Sequence, residues 1–134
     1  MTSLKVRTLV ALGVLVLGSL SPAFATHYCV STTMTGTSGD DIIYGTSGAD
    51  RIDGLGGNDT IFAGAGNDLV CGQTGRDSLY GDDGNDTIQG EWDDDYLNGN
   101  AGDDTLVGGL GDDTANGAGG SDSCDAESEV NCES

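Results

Sequence analysis

An all-β solenoid, wound from two nonapeptides per 18-residue coil, is the fold class that this sequence predicts. Three observations carry it. An Asp returns every nine residues without a slip, an apolar residue nearly always follows it two places later, and glycine fills almost every first and fourth position of the period. A period held this strictly marks a repeat architecture, in which each unit buries its apolar face only by stacking on its neighbours.

From 36 to 125 the chain divides into ten consecutive nonapeptides with no insertion. GLGGNDTIF (54–62) is typical. The sixth position is Asp in all ten: Asp41, Asp50, Asp59, Asp68, Asp77, Asp86, Asp95, Asp104, Asp113 and Asp122. The first position is Gly in nine, with Ala63 the exception, and the fourth is Gly in nine, with Asp93 the exception. The eighth position runs Ile43, Ile52, Ile61, Val70, Leu79, Ile88, Leu97, Leu106, Ala115 and Cys124.

Each repeat reads as a six-residue turn followed by a three-residue strand. Glycine allows positive φ and close backbone approach in the turn. One apolar residue between often polar neighbours is a minimal strand, its middle side chain turned inward. Odd repeats then stack on one side of the coil and even repeats on the other.

The pattern Gly-Gly-x-Gly-x-Asp-x-U-x, with U aliphatic, resembles the RTX (haemolysin-type) calcium-binding nonapeptide repeat over 36–125. The chain looks like a small, secreted, stand-alone member of that family. The resemblance implies a right-handed parallel β-roll with Ca²⁺ between successive turns on each edge. RTX repeats often trail a protease, lipase or pore-forming domain that leaves by a C-terminal export route. No such domain is visible here, so no toxin or hydrolase activity is carried over, and the expectation is that the chain is not an enzyme.

Elementary geometry agrees with calcium. Stacked strands lie ~4.7–4.9 Å apart, and one Ca²⁺ with oxygen ligands at ~2.3–2.6 Å spans about that distance between two layers. Mg²⁺ is too small and too reluctant to shed water. Zinc is disfavoured because His27 is the only histidine and the cysteines lack CxxC spacing. The ten position-six Asp residues are the expected side-chain ligands, with turn carbonyls completing the shell. Two stacks of five turns leave four gaps each, hence up to about eight ions.

The ends and the charge complete the picture. Lys5 and Arg7, the apolar run 8–18 and Ala23-Phe24-Ala25 read as a secretory signal peptide over 1–25. A cap over 26–35 and another over 126–134 would flank the repeats. Beyond residue 25, Arg51 and Arg76 stand against 23 carboxylates, a net −21. That charge excludes nucleic acid and anionic membrane as partners and predicts a disordered chain until cations arrive. Eight Ca²⁺ would leave about −5. Four cysteines in a secreted chain predict two disulfides, and Cys29–Cys71 with Cys124–Cys132 would staple the two caps.

Three features remain. Repeat seven, GEWDDDYLN (90–98), puts Asp93 where Gly is expected and reads as a tolerated, degenerate turn. Tyr44, Phe62 and Tyr80, each two repeats beyond the last, should form an aromatic ladder on one outer face, stacked layer on layer. The sequons at Asn58 and Asn85 are by-products of the repeat. The sequence therefore predicts a secreted, extracellular protein that binds several Ca²⁺ and folds on binding them at roughly 10⁻⁴–10⁻³ M. The alternative is a surface or carbohydrate-binding adhesin on the same roll, with an extracellular protein or sugar as partner. Ice binding would want a regular Thr or Asn ladder, whereas Thr37 is succeeded one full coil later by Leu55.

Overall fold

The computed structural model describes residues 33–132. Twelve strands form there: β1 (Met34–Thr35), β2 (Ile42–Tyr44), β3 (Arg51–Asp53), β4 (Thr60–Ala65), β5 (Leu69–Thr74), β6 (Ser78–Asp83), β7 (Thr87–Trp92), β8 (Tyr96–Ala101), β9 (Thr105–Leu110), β10 (Thr114–Gly119), β11 (Ser123–Asp125) and β12 (Ser128–Val130). They alternate between two six-stranded sheets, β1-β3-β5-β7-β9-β11 and β2-β4-β6-β8-β10-β12. Neighbours within the repeats are parallel and in register two nonapeptides apart, so that Val70 lies opposite Ile88 and Leu79 opposite Leu97. The chain is a parallel β-roll with two nonapeptides per coil, as the period predicts.

Position eight supplies the core. Ile52, Ile61, Val70, Leu79, Ile88, Leu97, Leu106 and Ala115 have no exposed surface and stack between the sheets. Ile43 and Cys124 lie at the two ends, partly buried, and Met34 and Ala126 pack against the same core. Met34 pairs with Ile52, so the N-terminal cap continues the register for one more strand. Four of the eight fully buried position-eight residues come from each sheet, and Ala63 and Cys71 are the other fully buried apolar residues among those described.

The strands differ from expectation in length. β4 to β10 run six residues, not three, because the ladder continues through positions one to three of the following repeat. The corner inside each strand is a left-handed residue at position two. In repeats three to ten this residue is Leu55, Gly64, Gln73, Asp82, Glu91, Asn100, Gly109 and Ala118, all with φ between 71° and 114°. Six of these eight are not glycine, so composition did not announce the conformation. At position four Asp93 takes φ 73°, positive like seven of its glycine counterparts at 106–158° but nearer the left-handed helical region, which a short polar side chain tolerates. Its Oδ2 also accepts the Gly75 amide at 3.1 Å. Repeat seven therefore keeps the common turn. Elsewhere glycine is needed for space, since a Cβ on Gly84 or Gly102 would fall on a carbonyl of the layer below.

The aromatic ladder is present and one ring longer than expected. Tyr44 stacks on Phe62 at 5.3 Å and Phe62 on Tyr80 at 4.9 Å, each pair within 10° of parallel, and Tyr96 joins at 6.0 Å from position seven. Ring faces are turned on one another, which stabilises successive layers by about 0.5–1.5 kcal/mol per pair. The Cys124–Cys132 disulfide is formed, with a Cα–Cα distance of 5.9 Å. Cys71 is fully buried and disulfide-bonded. Its expected partner Cys29, the signal segment 1–25 and His27 lie outside the described residues.

A core this small has no slack. Ile88→Ala should cost about 2–5 kcal/mol, measured as the shift in urea midpoint at saturating Ca²⁺. The exposed Thr105→Ala should stay within about 0.5 kcal/mol. Equal shifts for the two would contradict the assigned core.

Candidate metal centre

The turn between strands leaves the amide of position six without a backbone acceptor, and a carboxylate of the next layer supplies one. Asp59 Oδ1 accepts the Asp41 amide at 2.8 Å, Asp68 that of Asp50 at 2.7 Å, and Asp77 that of Asp59 at 2.7 Å. The series continues through Asp86, Asp95, Asp104, Asp113 and Asp122 at 2.8–2.9 Å. Meanwhile the position-six carbonyl accepts the position-seven amide of that next layer, as in Thr60 to Asp41 at 2.9 Å. The seven from Asp59 to Asp113 thus join layers by backbone and side chain together.

All ten Asp residues fall in the two expected files, one along each stack. Nine are buried, with Asp59 to Asp122 only 1–4 % exposed, and Asp41 at the end of its file is half-buried. A solvated turn cap is therefore not what they are. Their second oxygens divide them. Asp41 Oδ2 accepts the Thr37 amide and hydroxyl at 2.6 and 2.8 Å, and Asp50 Oδ2 accepts those of Thr46 at 2.7 and 2.8 Å. In the other eight, Oδ2 is buried and has no hydrogen-bond partner. These are the same eight repeats whose position two is left-handed.

The unpartnered oxygen does not stand alone. Where a Cβ on Gly54 would be, Asp59 Oδ2 and the Gly72 carbonyl of the next layer converge, at 2.5 and 2.8 Å. The same pairing recurs at Gly72 with Asp77 and the Gly90 carbonyl, at Gly81 with Asp86 and the Gly99 carbonyl, and at Gly90 with Asp95 and the Gly108 carbonyl. Position-one glycine keeps the oxygen pocket open, because a Cβ there would crowd the carboxylate; Ala63, in the repeat of Asp68, is the exception. Oxygen donors from two successive layers, one anionic and one carbonyl, suit Ca²⁺ and offer nothing to a soft metal. Among the described residues no three His, Cys, Asp or Glu side chains converge.

Position five was missed from the sequence. Its side chain reaches the opposite way, accepting an amide of the following layer: Asp40 from Asn58 at 2.7 Å, Asn58 from Arg76 at 2.9 Å, Asn67 from Asn85 at 3.0 Å. The signal was available, since seven of ten position-five residues are Asp or Asn. Arg76 also pairs with Asp94 at 2.8 Å, but both are exposed and such a pair contributes ~0–1 kcal/mol.

Burial acts on the carboxyl groups above all other influences. It raises Asp59 and Asp86 to about 7, Asp77 to about 6 and Asp95 to about 8, and raises Asp68, Asp104 and Asp113 as well. The accepted amide opposes the shift, and for most of these groups neighbouring carboxylates add to it. A raised folded-state value favours the protonated roll. That contribution is complete below the ordinary value of 3.8 and is lost as pH rises through about 6 to 8.

A parallel roll with two files of buried, half-engaged carboxylates is a cation-binding scaffold. The comparison with known families agrees. The model of the RTX calcium-binding nonapeptide repeat, built from four copies, matches residues 35–70, 72–106 and 98–128, and the chain belongs to that family. No curated protein and no solved structure matches the chain.

The pH dependence provides a test without metal. In chelator, acidifying from pH 8 to pH 4 should increase β-structure in far-UV circular dichroism. Loss of β-structure on acidification would contradict the burial of these carboxylates.

Proposed function

We propose that this is a secreted, non-enzymatic protein whose position-six Asp residues bind up to about eight Ca²⁺, and that the roll folds only as they bind. The observation that carries the reading is the set of eight buried Oδ2 atoms without a partner, on Asp59, Asp68, Asp77, Asp86, Asp95, Asp104, Asp113 and Asp122. Six of them belong to repeats with another repeat stacked beyond, and Asp113 and Asp122 close the two stacks. When bound, Ca²⁺ supplies two positive charges per site. The chain's own residues do the remainder: Oδ1 fixes the carboxylate through the amide of the layer before, and position-one glycine keeps a carbonyl within reach. Asp41 and Asp50 are assigned differently, as the metal-free start of each file, because Thr37 and Thr46 satisfy both.

An extracellular setting is supported by the Cys124–Cys132 disulfide. The carbohydrate adhesin finds no support in the ladder, since Phe62 and Tyr80 turn their ring faces to each other and not to solvent.

Asparagine separates ligand from scaffold, because it keeps an oxygen for the amide but no charge. Native mass spectrometry at saturating Ca²⁺ should count one to two ions fewer for Asp86→Asn and an unchanged number for Asp50→Asn. In chelator, Asp86→Asn should be at least as structured as the parent. An unaltered ion count for Asp86→Asn would remove position six from the ligand set.

A further inference from the structure

Resting on the calcium reading above, we propose that residues 126–132 complete a terminal calcium site outside the repeat register. Its donors are the Asp122 carboxylate and the Asn131 carbonyl, and the Cys124–Cys132 disulfide holds it in shape.

The repeat pattern ends at Asp125, so Asp122 has no further pair of repeats above it to supply the carbonyl its file requires. The chain solves this by shortening the coil. β12 pairs with β10 in a register short of two full repeats, Ser128 lying opposite Thr114. The shortened half-coil then reproduces the contacts of a full repeat with unrelated residues. Glu127 Oε2 accepts the Asp113 amide at 3.0 Å, the place a position-six Asp would take. The Ser128 amide donates to the Asp113 carbonyl at 3.1 Å, as position seven does elsewhere.

Asn131 supplies the missing carbonyl. Where a Cβ on Gly117 would stand, Asp122 Oδ2 and the Asn131 carbonyl oxygen converge, the latter at 2.5 Å. This is the oxygen pair found at Gly54, Gly72, Gly81 and Gly90. Asp122 is 2 % exposed and its Oδ2 has no hydrogen-bond partner. Asn131 is held from both sides. Its own Nδ2 donates to Asn116 Oδ1 at 3.0 Å, and the next residue, Cys132, is bonded to Cys124 in the core position of repeat ten. Its φ of 51° is left-handed, a conformation asparagine adopts more readily than most residues. The disulfide closes a short loop whose product is a correctly placed carbonyl, and so it acts on the metal through Asn131.

The test is ion counting by native mass spectrometry at saturating Ca²⁺, with circular dichroism confirming that each variant remains β-rich. Asp122→Asn should lose one ion. Cys124→Ser with Cys132→Ser should lose one ion, and all three substitutions together should still lose only one, because they empty the same site. Asn131→Ala keeps the disulfide but disfavours the left-handed backbone and removes the Asn116 contact. It should weaken one ion about tenfold and leave the rest unchanged, which tests the site even where the double-serine variant folds poorly. A full ion count in the double-serine variant, an additive loss in the triple variant or an unaltered Asn131→Ala titration would overturn the terminal site alone. A parent chain that takes up no Ca²⁺ would instead overturn the calcium reading on which the site rests.

Discussion

Placing an ionised carboxylate where water cannot reach it costs several kcal/mol even after the protein relaxes, and this roll does so along two files. Eight such groups, each with a buried oxygen that nothing in the chain satisfies, would together exceed the roughly 5–15 kcal/mol by which a domain of ordinary size is stable. The ten fully buried apolar residues are too few to offset that cost in addition to chain entropy. The fold therefore depends on what neutralises the carboxylates. Protons remove that charge at low pH, and on the calcium reading proposed above Ca²⁺ offsets it where the groups are ionised. Glycine content, the nine-residue interval and the net charge all follow from having to present the same oxygen pocket at every turn.

The same constraint explains why the Asp never drifts while its neighbours vary. One oxygen is committed to the amide of the preceding layer, so the side chain cannot shift along the strand without orphaning a backbone donor. The other must face the space beside position one. Position two, by contrast, tolerates Leu, Gln, Asp, Glu, Asn and Ala at left-handed φ, because its side chain points away from the pocket. In the first two repeats a threonine there changes the outcome, since its hydroxyl and amide occupy the second oxygen. Turns with a partnered and with an unpartnered second oxygen are thus distinguished by a residue four places from the carboxylate.

Most of the fold was legible in the sequence. The period gave the coil, the eighth position gave the core, and the two-repeat spacing placed Tyr44, Phe62 and Tyr80 in one stack. Strand length was not legible, because it depends on left-handed φ at non-glycine residues such as Gln73 and Glu91. Tyr96 escaped the ladder because it joins from position seven. Glu127 and Asn131 were hidden for a different reason: they do the work of repeat residues after the coil has shortened, where no register argument reaches. Position five carries its own signal in its Asp and Asn content. At the site, the two files of position-six carboxylates were legible in the sequence, but the amide that Oδ1 accepts and the unpartnered state of eight Oδ2 atoms required coordinates.

The central claim is that cation binding and folding are one event. Far-UV circular dichroism of the chain, titrated with Ca²⁺ from a chelated start at pH 8, tests it most directly, with Mg²⁺ in parallel. A cooperative rise in β-structure with Ca²⁺ near roughly 10⁻⁴–10⁻³ M, and none with Mg²⁺, is the predicted result. A chain already β-rich in chelator at that pH, or one still disordered at saturating Ca²⁺, would contradict it.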